Sequence, residues 1–291
     1  MWYNDFKKSL KLAIYPFGAR KGKFISYRNE MKCSYIAFEK QIYRTSVSEY
    51  TAKNLASKLC TNFIIVLVIF MATTLYIVRH CEAMGNFAGR FQGHVDSDIS
   101  ETGALQLKFL AKRFENVELD AVYASPLTRA DKTAHSVADA KGLPVITRQE
   151  LIELNVGDLE NLPLADFKNK QKEWYDIWVN YPWDFRAPNG ESMREIYERI
   201  WNAVLKIARE NEGKTVLVAS HGCAIRNLLC RLLFGDIEKM NEIGIGNNTS
   251  VSKLIFNGEE VTVEYFADSS HLPEEALPPT SRYDYKFGDY K

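Results

Sequence analysis

The sequence predicts an α/β protein: a three-layer sandwich with a mostly parallel central sheet and helices on both faces, preceded by an N-terminal extension. Three observations carry that reading. Short, continuous apolar runs, TLYIV at 74–78 and TVLVAS at 215–220, have the composition of strands buried on both faces. Longer stretches between them repeat apolar residues at helical spacing. The two patterns alternate along the chain, which implies a parallel sheet covered on both sides.

In chain order, TLYIV forms the first strand. Residues 101–116 place Leu105, Leu107, Leu110, Ala111 and Phe114 at mainly helical spacing, with Ser100 as the cap. DAVYAS (120–125) is a second strand, and 127–142 a helix that stops at Gly142, a residue suited to the left-handed turn after a helix. PVITR (144–148) makes the third strand. Residues 191–211 give the clearest helix, with Met193, Ile196, Tyr197, Ile200, Val204, Ile207 and Ala208 on one stripe. TVLVAS is the fourth strand and leads into a helix from Cys223 to Phe234. VSKLIF (251–256) and VTVEYF (261–266) flank Asn257-Gly258 and read as an antiparallel hairpin with a somewhat long loop. The aromatic run EWYDIWVNYPWDF (173–185) reads as packing, with a lid over a pocket as the alternative.

The domain expected to carry function spans 71–272. Ahead of it, residues 1–70 form a basic extension, and from Pro273 to 291 an irregular tail without apolar period follows. Formal net charge is zero, so the whole-chain balance gives no reason to expect a nucleic-acid partner. That zero hides a split: residues 1–70 hold 12 Lys and Arg against 4 Asp and Glu, and the remainder 25 against 33. The apolar run FIIVLVIFMA (63–72) has ten residues, whereas a membrane-spanning helix needs about 20. A dispensable extension ahead of Met71 is therefore the leading reading, and contact with a membrane surface through 63–72 the lesser one. The five cysteines (33, 60, 81, 223 and 230) include no CxxC pair, so free thiols in a reducing, cytoplasmic setting are expected. Oligomeric state leaves no trace in the sequence.

Three segments bring polar chemistry to the carboxyl ends of strands, where open α/β sheets bind ligands. Arg79-His80 ends the first strand, Ser125-Pro126-Leu127-Thr128-Arg129 follows the second, and Ser220-His221-Gly222 follows the fourth. Two guanidinium groups and two imidazoles make an anion site, since Arg presents a planar fork to phosphate oxygens. A neutral imidazole is also a nucleophile able to form a covalent intermediate. Departure of an alkoxide calls for a proton donor, and Glu153, between apolar neighbours just past the third strand, is better placed than Glu150, Asp158 or Glu160. Other chemistries lack their signatures. No cysteine is followed six positions later by Arg, there is no GxxxxGK[ST] loop, and GIGNN (244–248) is half a dinucleotide fingerprint that precedes a strand.

The ordered blocks RHCEAMGN (79–86), GRFQGHVDSDIS (89–100), SPLTRADKTA (125–134), IELNVGDLE (152–160), NGES (189–192) and SHG (220–222) resemble the histidine phosphatase superfamily, the phosphoglycerate-mutase-like proteins, over residues 73 to about 271. The resemblance implies a metal-independent phosphomonoesterase without cofactor, acting on a small-molecule phosphomonoester. It makes His80 the phosphoryl acceptor and Glu153 the proton donor. Arg79, Arg129 and His221 would bind the transferred group, with Asn86 assisting and Gln92 contacting phosphate from the following loop. A phosphoglycerate mutase using the same site is the alternative. So is a weakened phosphate-binding relative, because the family glycine after the nucleophile is Cys81 here. Glycine at such a turn permits unusual dihedral angles; a tolerated small substitution is the leading reading of Cys81, and a thiol that ionises and oxidises readily beside two arginines is the lesser one. His94, His135 and His271 read as surface or packing histidines.

Overall fold

Six strands form one mixed sheet: β1 (Thr73–Arg79), β2 (Ala121–Ala124), β3 (Val145–Thr147), β4 (Thr215–Ser220), β5 (Val251–Asn257) and β6 (Glu260–Asp268), in the order β3-β2-β4-β1-β5-β6. This computed structural model describes residues 72–277. The expectations for residues 1–70, and for the tail beyond residue 277, lie outside the described residues. The first four strands pair in parallel, while β5 and β6 add an antiparallel edge beside β1. Helices are α1 (Met84–Phe87), α2 (Glu101–Phe114), α3 (Thr128–Ala138), α4 (Leu164–Lys170), α5 (Lys172–Asn180), α6 (Met193–Glu210) and α7 (Gly222–Phe234).

Side chains alternate across the central strands, and each set finds its own helices. Leu75, Ile77, Val216 and Val218 pack with Ile196, Ile200, Val204 and Leu228 of α6 and α7. Val78, Leu217 and Ala219 pack with Leu110, Phe114, Ala134 and Val137 of α2 and α3. The three expected layers follow from this alternation.

Helix ends obey local chemistry. Ser100 Oγ accepts the Gly103 N–H at 3.0 Å to start α2. Ser192 and Glu195 exchange side-chain and backbone hydrogen bonds to start α6. Gly142 takes φ 63° after the short 3-10 turn Asp139–Lys141 that prolongs α3. α2 also crosses close to the turn after β1, since a Cβ on Gly103 would lie 2.1 Å from the Glu82 carbonyl oxygen.

Two boundaries differ from expectation. The hairpin pairs as far as Asn257 with Glu260, so its loop is two residues rather than a long one, with Gly258 at φ 65°. The chain also stays attached past residue 272: Glu274–Ala276 forms a 3-10 turn, Ala276 is buried, and its carbonyl accepts from Gln106 Nε2 at 2.9 Å. A buried glutamine needs a partner, and the tail's first residues supply it. Among the described residues no helix is long and apolar enough to cross a membrane.

Candidate active site

Strand register brings the three predicted segments together. Arg79 pairs with Ser220 across β1 and β4, and Ala124 with Ala219 across β2 and β4, so the residues just past each strand share one sheet edge. His80 stands at its centre, 4% exposed. Its Nδ1 lies 2.6 Å from the Cys81 carbonyl oxygen, a pure acceptor, so the neutral ring carries its proton on Nδ1 and leaves a lone pair on Nε2. Burial, and then the charges of Arg129 and Arg79, hold the imidazole well below the ordinary histidine range. The backbone beneath it is pinned, because Asn248 Nδ2 and the Thr249 N–H both reach the His80 carbonyl, at 2.8 and 3.3 Å.

Cys81 is not the activated thiol of the lesser reading. Its backbone is not among the positive-φ residues, so the turn does not demand glycine. The side chain is fully buried, with Sγ 3.9 Å from the Arg129 carbonyl, and its N–H donates to Thr133 Oγ1 at 2.9 Å. Burial pushes the thiol up to about 11, the reverse of activation, because desolvation outweighs the Thr133 hydrogen bond and the Lys132 charge.

Arg129 comes from the first turn of α3 and is 1% exposed. Its Nη1 and Nη2 donate to the Val95 and Gly93 carbonyls at 2.9 and 2.8 Å, which fixes the plane of the guanidinium. The 93–95 loop is in turn held by Glu160, whose carboxylate accepts the N–H groups of Gly93, His94 and Val95. Arg79 Nη1 donates to the Gly246 carbonyl at 2.6 Å.

Glu153 caps α7. Oε1 accepts from the Leu154 and Ala224 N–H groups at 2.9 and 3.0 Å, and Oε2 from Cys223 at 3.0 Å. A carboxylate has about four acceptor positions; three are taken, and the one left is on Oε2. The loop carrying Glu153 is clamped by Arg199, which donates to the carbonyls of Glu150 and Ile152 at 2.9 Å while forking onto Glu191 at 2.8 and 2.7 Å.

A comparison with protein families matches residues 75–269 to the Histidine phosphatase superfamily (branch 1). The chain belongs to the histidine phosphatase superfamily. It is 35% identical over 173 residues to Phosphoserine phosphatase 1 of Hydrogenobacter thermophilus, covering 60% of this chain and 82% of that protein. It is 33% identical over 213 residues to Probable phosphoglycerate mutase GpmB of Yersinia pestis, covering 72% of this chain and 99% of that protein. Among solved structures, Bacillus stearothermophilus YhfR superposes with a TM-score of 0.66 at 30% identity, over 68% of this chain and 98% of that one.

Within this histidine phosphatase fold, Arg79, His80, Asn86, Gln92, Arg129 and Glu153 line one cleft of about 240 Å³. His221 does not line it. The ring is fully buried behind His80, with centroids 5.2 Å apart, and its Nε2 sits 2.6 Å from Ser125 Oγ. Burial and the Arg129 charge hold it, too, well below the ordinary histidine range. Buried atoms without a hydrogen-bond partner in the protein gather here: Arg129 Nε, His221 Nδ1, Gln92 Oε1 and Asn248 Oδ1.

Several lining residues escaped the sequence reading. The GIGNN segment, dismissed as half a nucleotide fingerprint, brings Gly246 and Asn248 to the cleft. Phe91, Leu164 and Trp178 form its apolar side, and Trp178 packs edge-on to Phe91 at 5.0 Å, so the aromatic run both packs and walls the site. Arg90 stands at the cleft with Nη1 on the Asn161 carbonyl at 2.7 Å. Among the other histidines, His94 Nε2 reaches the Glu153 carbonyl at 2.9 Å, His135 is exposed between Asp131 and Asp139, and His271 is bonded to Arg113. Among the described residues no group of three His, Cys, Asp or Glu side chains could hold a metal ion.

Proposed function

We propose that the protein is a phosphomonoesterase that works through a phosphohistidine on His80 and needs neither metal nor cofactor. The observation that carries this reading is the His80 hydrogen bond: with Nδ1–H spent on Cys81, the Nε2 lone pair is free among two guanidinium groups and a second imidazole. In the first step Nε2 attacks phosphorus and the P–O bond to the leaving group breaks. Arg79 and Arg129 offset the charge on the transferred oxygens, the neutral His221 offers them an N–H, and Asn86 and Gln92 contact the same group. A proton held on Glu153 Oε2 goes to the departing alkoxide. In the second step Glu153 takes a proton from water, which attacks phosphohistidine and releases inorganic phosphate.

A cleft of about 240 Å³ falls below the roughly 300–1,000 Å³ of pockets for drug-sized ligands, so the leaving group is small. Phosphoserine, which the name of the Hydrogenobacter relative contains, is of that size. The mutase reading rests on the match to Probable phosphoglycerate mutase GpmB over 99% of its length. Phosphoglycerate and phosphoserine are of equal size, so dependence on 2,3-bisphosphoglycerate is what separates the two readings.

The test is turnover of p-nitrophenyl phosphate and phosphoserine by the full chain in excess EDTA, beside His80→Ala and Glu153→Gln. Both substrates should be hydrolysed, and His80→Ala should abolish both. Glu153→Gln should slow phosphoserine far more than the aryl ester, whose phenolate leaves without help. Equal slowing removes the proton-donor role. Activity that requires 2,3-bisphosphoglycerate transfers the assignment to a mutase.

A further inference from the structure

We infer that Ser125 is a positioning residue for His221: its hydroxyl donates to Nε2 and so fixes the ring in the tautomer that carries its proton on Nδ1. The inference rests on the phosphoryl-transfer reading for the use of that proton, though not for its location. Ser125 lies just past β2, fully buried, with Oγ 2.6 Å from His221 Nε2. The Leu127 N–H approaches the same oxygen at 3.4 Å and can only give a proton to it. A buried hydroxyl has one proton to donate, and among the described residues His221 Nε2 is the acceptor within reach of Oγ. A neutral imidazole has a single N–H, so once Nε2 accepts, the proton sits on Nδ1.

Nδ1 is the ring atom left buried without a protein partner. The reverse tautomer would strand the serine proton and leave a lone pair, rather than an N–H, at the buried Nδ1. With Ser125 in place the two imidazoles are complementary. His80 spends Nδ1–H on the Cys81 carbonyl and presents a lone pair, while His221 spends its lone pair on Ser125 and presents an N–H, with centroids 5.2 Å apart. One is set to attack phosphorus and the other to hold an oxygen. The same serine explains why the strand-end motif begins with Ser-Pro before Arg129 supplies its charge.

The experiment is long-range ¹H–¹⁵N correlation on ¹⁵N-labelled full chain at pH 7 without phosphate, with His221 signals assigned by loss in His221→Gln. The parent should show a protonated Nδ1 and an accepting Nε2 at His221. Ser125→Ala should shift the ring toward the Nε2–H tautomer, and Ser125→Thr should restore the parent pattern. In turnover of p-nitrophenyl phosphate, Ser125→Ala should lose kcat by about a hundredfold, the scale of losing one oxyanion donor, with Ser125→Thr recovering most of it. An Nε2–H tautomer in the parent, or an unchanged tautomer in Ser125→Ala, overturns the inference, and the parent spectrum decides even if the alanine variant does not fold. Absent phosphatase activity with the expected tautomers would instead overturn the functional reading alone.

Discussion

At His80 and Arg129 the chemistry depends on backbone carbonyls as much as on charge. The Cys81 carbonyl sets which nitrogen of His80 keeps its lone pair, and the Gly93 and Val95 carbonyls set the plane of the Arg129 fork. A lysine would keep the charge and lose the plane. Arg129→Lys is therefore expected to lower kcat/KM by about a hundredfold, read from initial rates with His80 unchanged. Cys81→Gly tests the departure from the family pattern. Because the turn needs no positive φ, activity should stay within about twofold while stability falls by about 1–2 kcal/mol through backbone entropy and lost packing. A large gain in kcat would show that Cys81 weakens the site. Individual site residues were legible where charge interrupts an apolar strand, as at Arg79-His80. They were not legible where a main-chain loop does the work, as at Gly246–Asn248, because carbonyl placement leaves no mark on side-chain pattern.

The loop that carries Glu153 and the loop that supports Arg129 are each held by one charged side chain, Arg199 and Glu160. Arg199 ties the 150–153 segment through carbonyls and is itself fixed by the fork onto Glu191. Arg199→Lys cannot span these acceptors, so kcat for phosphoserine should fall by about tenfold or more through a misplaced Glu153, with KM little changed; steady-state kinetics on both esters checks the split. α2 presents the opposite constraint, steric rather than polar. A methyl on Gly103 would press on the Glu82 carbonyl, so Gly103→Ala should cost about 2–3 kcal/mol, measured by urea unfolding. The long helices α2 and α6 announced themselves by stripe and cap. The short ones, α4 and α5, did not: both lack a side-chain N-cap, and they run seven and nine residues, about two turns each. Their helical state depends on the aromatic stack of Phe91, Phe167 and Trp178 that they pack into.

For the whole molecule, alternation of strand and helix foretold the layers, whereas strand order did not follow from it. β4 comes late in the chain yet inserts between β1 and β2, a long-range pairing that local pattern does not encode. That insertion makes the site, and burying two neutral histidines there carries a pH signature. Both have folded-state values well below 6.5, so the unfolded chain binds more protons once pH drops under 6.5. Stability must then fall as pH falls, by up to about 3 kcal/mol per unit for the pair until the folded state also protonates. His271, which burial lowers to about 4, adds a third such contribution; urea midpoints between pH 7 and 5 measure the combined slope, and His221→Gln should reduce it by about a third. We also propose that the working body begins near Met71. A chain of residues 71–291 should match the full chain in kcat and in far-ultraviolet circular dichroism.

The Glu153 cap on α7 has one more consequence. The amide protons of Cys223 and Ala224 rest on the carboxylate proposed as the proton donor. When that carboxylate turns away, those two amides lose their shelter from solvent. Their hydrogen-exchange rates thus act as an internal gauge of the acid–base group, readable without any substrate analogue that changes colour.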